Sequence, residues 1–136
     1  MIRVLSVPHT GTRSTMKILE DAGLTRLLTI NKLGDFAQIH FDGSYKHPMI
    51  YEFPGPVIIS VRQKEKVEAT WKRKGKDLRD MERMWQEMLD FMQRDDVYLL
   101  HVDNPNTRDD ELQAISERIG VPLEADWDVK VGEGID

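Results

Sequence analysis

Eight consecutive residues, Pro8-His9-Thr10-Gly11-Thr12-Arg13-Ser14-Thr15, concentrate groups that hold an anion. Thr10, Thr12, Ser14 and Thr15 bring hydroxyl donors, Arg13 a formal charge, and Gly11 lets the backbone approach a ligand closely. An apolar run, Ile2 to Val7, precedes the loop. Met16, Ile18, Leu19, Ala22 and Leu24 follow at helical spacing, with Gly23 as the stop. The stretch therefore reads as buried strand, small-residue loop and amphipathic helix. A loop that opens a helix presents unpaired N–H groups, and the helix dipole adds positive charge, so its natural guest is a phosphate or sulfate. It is not a Walker A loop, because no lysine precedes Ser14. An ordinary helix start after a first strand would use the same residues.

Three further positions could share that chemistry. His40 lies in the run FAQIHF, Arg62 closes the run VIISV, and Thr70 follows eight residues later. Residues 62–79 hold eight bases and three acids, whereas the rest of the chain holds 11 bases and 21 acids. A basic block on a protein of net charge −5 fits a small anionic ligand or a docked polyanion, or a plain solvated helix face. The overall acidity argues against a general nucleic-acid binder. Cysteine is absent, and the histidines His9, His40, His47 and His101 form no metal-binding pair, so no metal is expected.

These groups need a scaffold. A length of 136 residues predicts a single domain, 1–136, large enough for a core. No run reaches membrane-spanning length and no signal peptide is visible, which predicts the cytoplasm of a cell or host cell and no membrane partner. Strands are expected at Ile2–Val7, Phe36–Phe41, Val57–Val61 and Val97–Val102, with a weaker candidate at Leu27–Ile30. Residues 42–56, rich in turn formers, are expected to be an exposed loop. Helices are expected over Lys64–Lys74, over Asp77–Arg94, and after a capping box at Thr107-x-x-Asp110, the last stopped by Gly120. In the second of these, Leu78, Met81, Met84, Trp85, Met88, Leu89 and Met92 form a core-facing stripe, although its methionines would also suit a partner surface. The tail from Val121 is expected to be irregular. Alternating strands and helices predict an α/β fold of three layers, with a mostly parallel central sheet flanked by helices. In such sheets ligands bind at the carboxyl ends of the strands. Parallel strands would bring the Pro8–Arg13 loop, His40 and Arg62 to one crevice.

In this order the residues resemble the sulfotransferases that use 3′-phosphoadenosine 5′-phosphosulfate (PAPS), a P-loop-like family. Its first strand ends in a 5′-phosphosulfate loop of the P-K-S-G-T-T style, to which Pro8-His9-Thr10-Gly11-Thr12-Arg13 is similar. A later strand ends in an arginine followed eight residues on by a serine, and the two hold the 3′-phosphate. Arg62 and Thr70 stand at that spacing. The catalytic histidine precedes this pair, and His40 lies 22 residues ahead of Arg62. The stretch VYLLHVD and the helix ending ERIGV are similar to the family's C-terminal part, so the likeness spans Ile2 to Pro122. This chain departs in three ways. His9 replaces the loop lysine, Ser14 stands where an aromatic is common, and Val131-Gly132-Glu133-Gly134 matches the family's glycine-rich closing segment poorly. The chain is also shorter than typical members.

The resemblance implies a nucleotide-dependent transferase with PAPS as co-substrate and the 3′,5′-bisphosphate as product. The acceptor would be a small molecule or glycan bearing a hydroxyl or amine. His40 would be general base, with Arg13 or protonated His9 replacing the lysine. Thr10, Gly11, Thr12, Arg13 and Ser14 would hold the phosphosulfate, and Arg62 and Thr70 the 3′-phosphate. Lys72, Arg73 and Lys74 would add field. Two alternatives stand beside it: a non-catalytic nucleotide-binding or interaction protein on the same fold, and a small P-loop kinase-like phosphotransferase. The second lacks both the Walker lysine and a clear acidic Mg²⁺ ligand, Asp103 being the one candidate.

Overall fold

The computed structural model describes residues 1–27 and 34–128. Within them the chain forms an α/β fold around four strands: β1 (Ile2–Ser6), β2 (Phe36–His40), β3 (Val57–Val61) and β4 (Val97–His101). Their order is β2-β1-β3-β4, and every pairing is parallel. Ser6 registers with His40, and Val61 with His101, so these strands end together at one edge of the sheet. Of the weak strand candidate Leu27–Ile30, residues 28–30 lie outside the described residues. Just before it, Arg26 makes a single bridge to Phe36.

Among the described residues five helices accompany the sheet: α1 (Thr12–Asp21), α2 (Pro48–Tyr51), α3 (Lys64–Arg73), α4 (Leu78–Phe91) and α5 (Arg108–Ile119). Alternate residues of a strand face opposite sides, and this sorts the core into two layers. Val4, Phe36, Ile58 and Leu100 pack against Ile18 and Leu19 of α1 and Leu112 and Ile115 of α5. Leu5, Ile39, Val57 and Ile59 pack against Val67 and Trp71 of α3 and Met81, Trp85 and Met88 of α4. β3 is buried at all five positions, which explains its continuous β-branched run.

Local chemistry accounts for the ends of the elements. After α1, Gly23 takes a φ of 92°, Gly23 N–H donates to the Glu20 carbonyl and Leu24 N–H to that of Leu19. This left-handed stop is the one glycine supplies best. Asp77 caps α4, its carboxylate accepting from Arg79 N–H at 2.9 Å.

Three expectations need correction. The segment 42–56 is not simply an exposed loop, because it folds into α2, which buries Ile50. His47 Nδ1 accepts from Met49 N–H, Pro48 opens the helix, and the buried Arg3 guanidinium donates to the carbonyls of Met49, Ile50 and Gly55. Glu87, fully buried on α4, accepts from Gly43 N–H, Tyr45 N–H and the Tyr51 hydroxyl, and so ties the segment down from the other side. The α4 stripe is accordingly less regular than expected. Glu87 lies inside while Leu89 is 42% exposed. The capping box at Thr107 does not form. Thr107 makes no side-chain cap bond, and its hydroxyl turns instead to Glu111. Asp110 is therefore not reciprocated, and the helix gains its favourable first-turn charge from Asp109, Asp110 and Glu111 together.

Candidate functional site

In a sheet of order β2-β1-β3-β4 the chain leaves β1 toward β2 and then crosses to β3 on its other side. The carboxyl ends of β1 and β3 therefore flank the topological switch point, where open α/β sheets bind ligands. The loop between β1 and α1 and the residues that follow β3 lie there.

The loop is strained and anchored. His9 and Gly11 both have positive φ, 73° and 81°. Residues of alternating hand turn successive N–H groups toward one side and form an anion-binding concavity. Holding His9, a non-glycine residue, in this region costs on the order of 1 kcal/mol or more, strain typical of functional loops. Gly11 is obligatory for two reasons. Its φ is left-handed, and a Cβ there would lie 2.5 Å from Val102 Cγ2. No side chain caps α1 and no acid lies in its first turn, so the positive helix end stays available.

Not every predicted loop hydroxyl faces outward. Thr10 is buried and donates to the Val7 carbonyl at 2.7 Å, while Thr12 donates to Ser6 Oγ at 2.7 Å. Thr15 of α1 pairs with Ser60 of β3 at 2.6 Å. These residues shape the loop through their side chains, and a ligand would meet their backbone. Ser14 is half-buried and Arg13 exposed.

Arg62 and Thr70 do meet. Arg62 Nη1 lies 3.3 Å from Thr70 Oγ1 and 3.4 Å from the His9 carbonyl, so the pair adjoins the loop. Thr70 donates to the Lys66 carbonyl, one turn back on α3, leaving its oxygen to accept from Arg62. Arg62 is 9% exposed, its Nε is buried without a hydrogen-bond partner, and no described carboxylate lies within ion-pair range. A cation removed from water without a counter-charge is costly, and an arriving anion offsets that cost.

On the other side of β1 lies a cavity of 790 Å³, lined by His9, Arg13, His40, Lys74 and Lys76 among others. Neither Arg62 nor Thr70 lines it. The predicted residues thus form two halves that share the loop: an arginine-bearing half beside β3, and a histidine-bearing half beside β2. His40, the exposed last residue of β2, has a pKa lowered below the ordinary 6.5. Crowding by surrounding atoms is the largest cause, and the neighbouring His9 and Lys76 lower it further. His40 is therefore largely neutral near pH 7 and able to accept a proton.

Lys76 was missed by sequence reasoning as a site residue. Its ammonium lies 2.9 Å from His9 Nε2 and 5.2 Å from the Trp71 ring centroid. An ammonium can only donate, so Nε2 is the acceptor and in this arrangement the positive charge beside the loop sits on Lys76. Trp71 in turn donates its indole N–H to the Pro8 carbonyl at 3.0 Å. The signal for Lys76 was present in the basic block, but only the turn at Gly75, with a φ of 69°, brings position 76 back to position 9.

Asp103 is already engaged. Its carboxylate accepts from Gln63 N–H at 3.0 Å and lies 3.5 Å from the Lys66 ammonium. Among the described residues no group of three or more His, Asp or Glu side chains is placed to hold a metal ion, and no helix is long and apolar enough to cross a membrane. The glycine-rich stretch Val131–Gly134 lies outside the described residues. Comparison of the chain with protein-family models, with curated proteins and with solved structures finds no match.

Proposed function

We propose that this protein is a small sulfotransferase that binds PAPS at the loop between β1 and α1 and transfers its sulfuryl group to a hydroxyl or amine. The observation that carries this reading is Arg62, a buried guanidinium with no carboxylate in range among the described residues, bonded to Thr70 and touching the phosphate-loop backbone. A nucleotide with a second phosphate on its ribose would meet that cation while its 5′-phosphosulfate lies on the helix N-terminus. His40 takes the proton from the acceptor as the acceptor oxygen or nitrogen bonds to sulfur. The bond from sulfur to the bridging phosphate oxygen breaks, and the electron pair leaves with the 3′,5′-bisphosphate. Lys76, Arg13 and the α1 amides stabilise the charge that develops on this phosphate. The sequence reading puts this activity in the cytoplasm.

The kinase-like alternative is disfavoured by Asp103, whose carboxylate is already bonded to Gln63 and close to Lys66. The non-catalytic alternative differs only in the fate of His40. His40→Ala is expected to abolish release of labelled sulfate from PAPS to acceptors while adenosine 3′,5′-bisphosphate still binds. Equal loss of turnover and binding would assign His40 a structural part instead.

A further inference from the structure

The cavity beside β2 extends past the residues assigned to the nucleotide. It follows α1, whose ten residues span about 15 Å, and its floor carries Gln38 and His40 from β2. Its volume of 790 Å³ lies within the usual range for small-ligand sites, about 300–1,000 Å³. Arg62 and Thr70 lie across β1 from it and are not among its lining residues, so a nucleotide seated by its 3′-phosphate is held from the far side of the loop.

The walls are polar and biased toward positive charge. Arg13, Lys17, Arg26, Lys74 and Lys76 face the groove, against Glu20 and Asp21. Asp21 is already paired with Lys17 at 2.7 Å. Arg13 and Lys76 adjoin the loop and serve the phosphosulfate in the reading above. Arg26 and Lys74 remain, and no described carboxylate pairs with either. Cations left over after the co-substrate is accounted for favour an acceptor that is itself an anion. Met16 and Pro8 are the apolar residues among those lining it, and a hydrophobic acceptor would leave the charged side chains around them without partners.

Resting on the sulfotransferase reading, we infer that the groove along α1 binds the acceptor, and that the acceptor is an elongated, polar, anionic molecule. Its anionic groups lie toward Arg26 and Lys74, and its hydroxyl or amine reaches His40.

The test uses the whole protein saturated with adenosine 3′,5′-bisphosphate and two matched pairs of probes. These are trehalose 6-phosphate against trehalose, and a hyaluronate tetrasaccharide against neutral chitotetraose, each titrated by calorimetry. The anionic member should bind about tenfold tighter, what two solvent-exposed ion pairs supply together. The preference should shrink in Arg26→Gln and in Lys74→Gln and fade as salt is raised, with bisphosphate affinity held within about twofold. Equal binding of charged and neutral members, binding by neither at millimolar concentration, or displacement of the bisphosphate by the anionic probes would overturn the inference. If the bisphosphate itself fails to bind, the sulfotransferase reading falls separately. The same titrations on nucleotide-free protein, with the two variants, then still decide whether the groove prefers anions.

Discussion

Arg62→Met separates a ligand-binding cation from a structural one. In the free protein the guanidinium is 9% exposed, its Nε lacks a partner, and its contacts to Thr70 Oγ1 and the His9 carbonyl are long, at 3.3 and 3.4 Å. Thr70 keeps its own acceptor, the Lys66 carbonyl, when Arg62 is removed. Methionine fills the space without a buried charge, so the free variant should be as stable as the parent within about 1 kcal/mol, or more stable. Binding should behave differently. A hydrogen bond to a charged group is worth about 1.5–3 kcal/mol, so the 3′,5′-bisphosphate should bind about 10–150-fold more weakly. At 100 times the parent's Kd, ligand linkage stabilises the parent by about 2.7 kcal/mol and the variant by about 0.3–1.4 kcal/mol. With about 3 °C per kcal/mol for a domain of this size, the ligand-induced rise in Tm falls from about 8 °C to about 1–4 °C. Differential scanning calorimetry reads both quantities at once. The 5′-monophosphate serves as control and should keep its shift in the variant. An unliganded variant destabilised by more than about 2 kcal/mol, or an equal loss for mono- and bisphosphate, would refute the assignment of Arg62 to the second phosphate.

Two other perturbations follow from the same geometry. Gly11→Ala puts a Cβ 2.5 Å from Val102 Cγ2 at a φ of 81° and should destabilise by about 1–3 kcal/mol in denaturant titrations. Adding Val102→Ala should recover only the steric part, and an unperturbed Gly11→Ala would mean the loop is not held as described. His40 should titrate below 6.5 by NMR, and Lys76→Met should move its pKa upward by removing a nearby positive charge. Because the folded-state pKa is depressed, the unfolded chain binds more protons below pH 6.5. Stability contributed by His40 is therefore present above 6.5 and is lost as pH falls through the folded value. A His40 titration unmoved by Lys76→Met would deny that the two groups share the cavity.

Most of the architecture was legible because the strands carry their own signals. Val57–Val61 is buried at every position and reads as a continuous β-branched run, and β1, β2 and β4 were expected within a residue of their ends. Parallel order followed from alternation with helices; it brings Arg62 and His40 to the loop from opposite sides of β1 rather than all three into one crevice. The misses share a cause: they depend on partners distant in the chain. Residues 42–56 look like a loop until Arg3 and Glu87, from β1 and α4, supply the bonds that fold α2. Thr107 reads as a cap, yet Glu111 binds His101, and that draws the hydroxyl elsewhere. The inward turn of Thr10 and Thr12 was hidden for the same reason, since a threonine in a loop does not declare whether its hydroxyl meets ligand or backbone. Lys76 reaches His9 only because α3 folds back over the loop.

Calorimetric titration of adenosine 3′,5′-bisphosphate against ADP with Mg²⁺ tests the nucleotide site most directly, because the second phosphate sits on the 3′-hydroxyl in one, where Arg62 and Thr70 are assigned to read it, and on the 5′-phosphate in the other. The bisphosphate should bind at least about tenfold tighter, without any requirement for Mg²⁺. Equal affinities, or a preference for the Mg²⁺-bound diphosphate, would contradict the sulfotransferase reading and favour a kinase-like site.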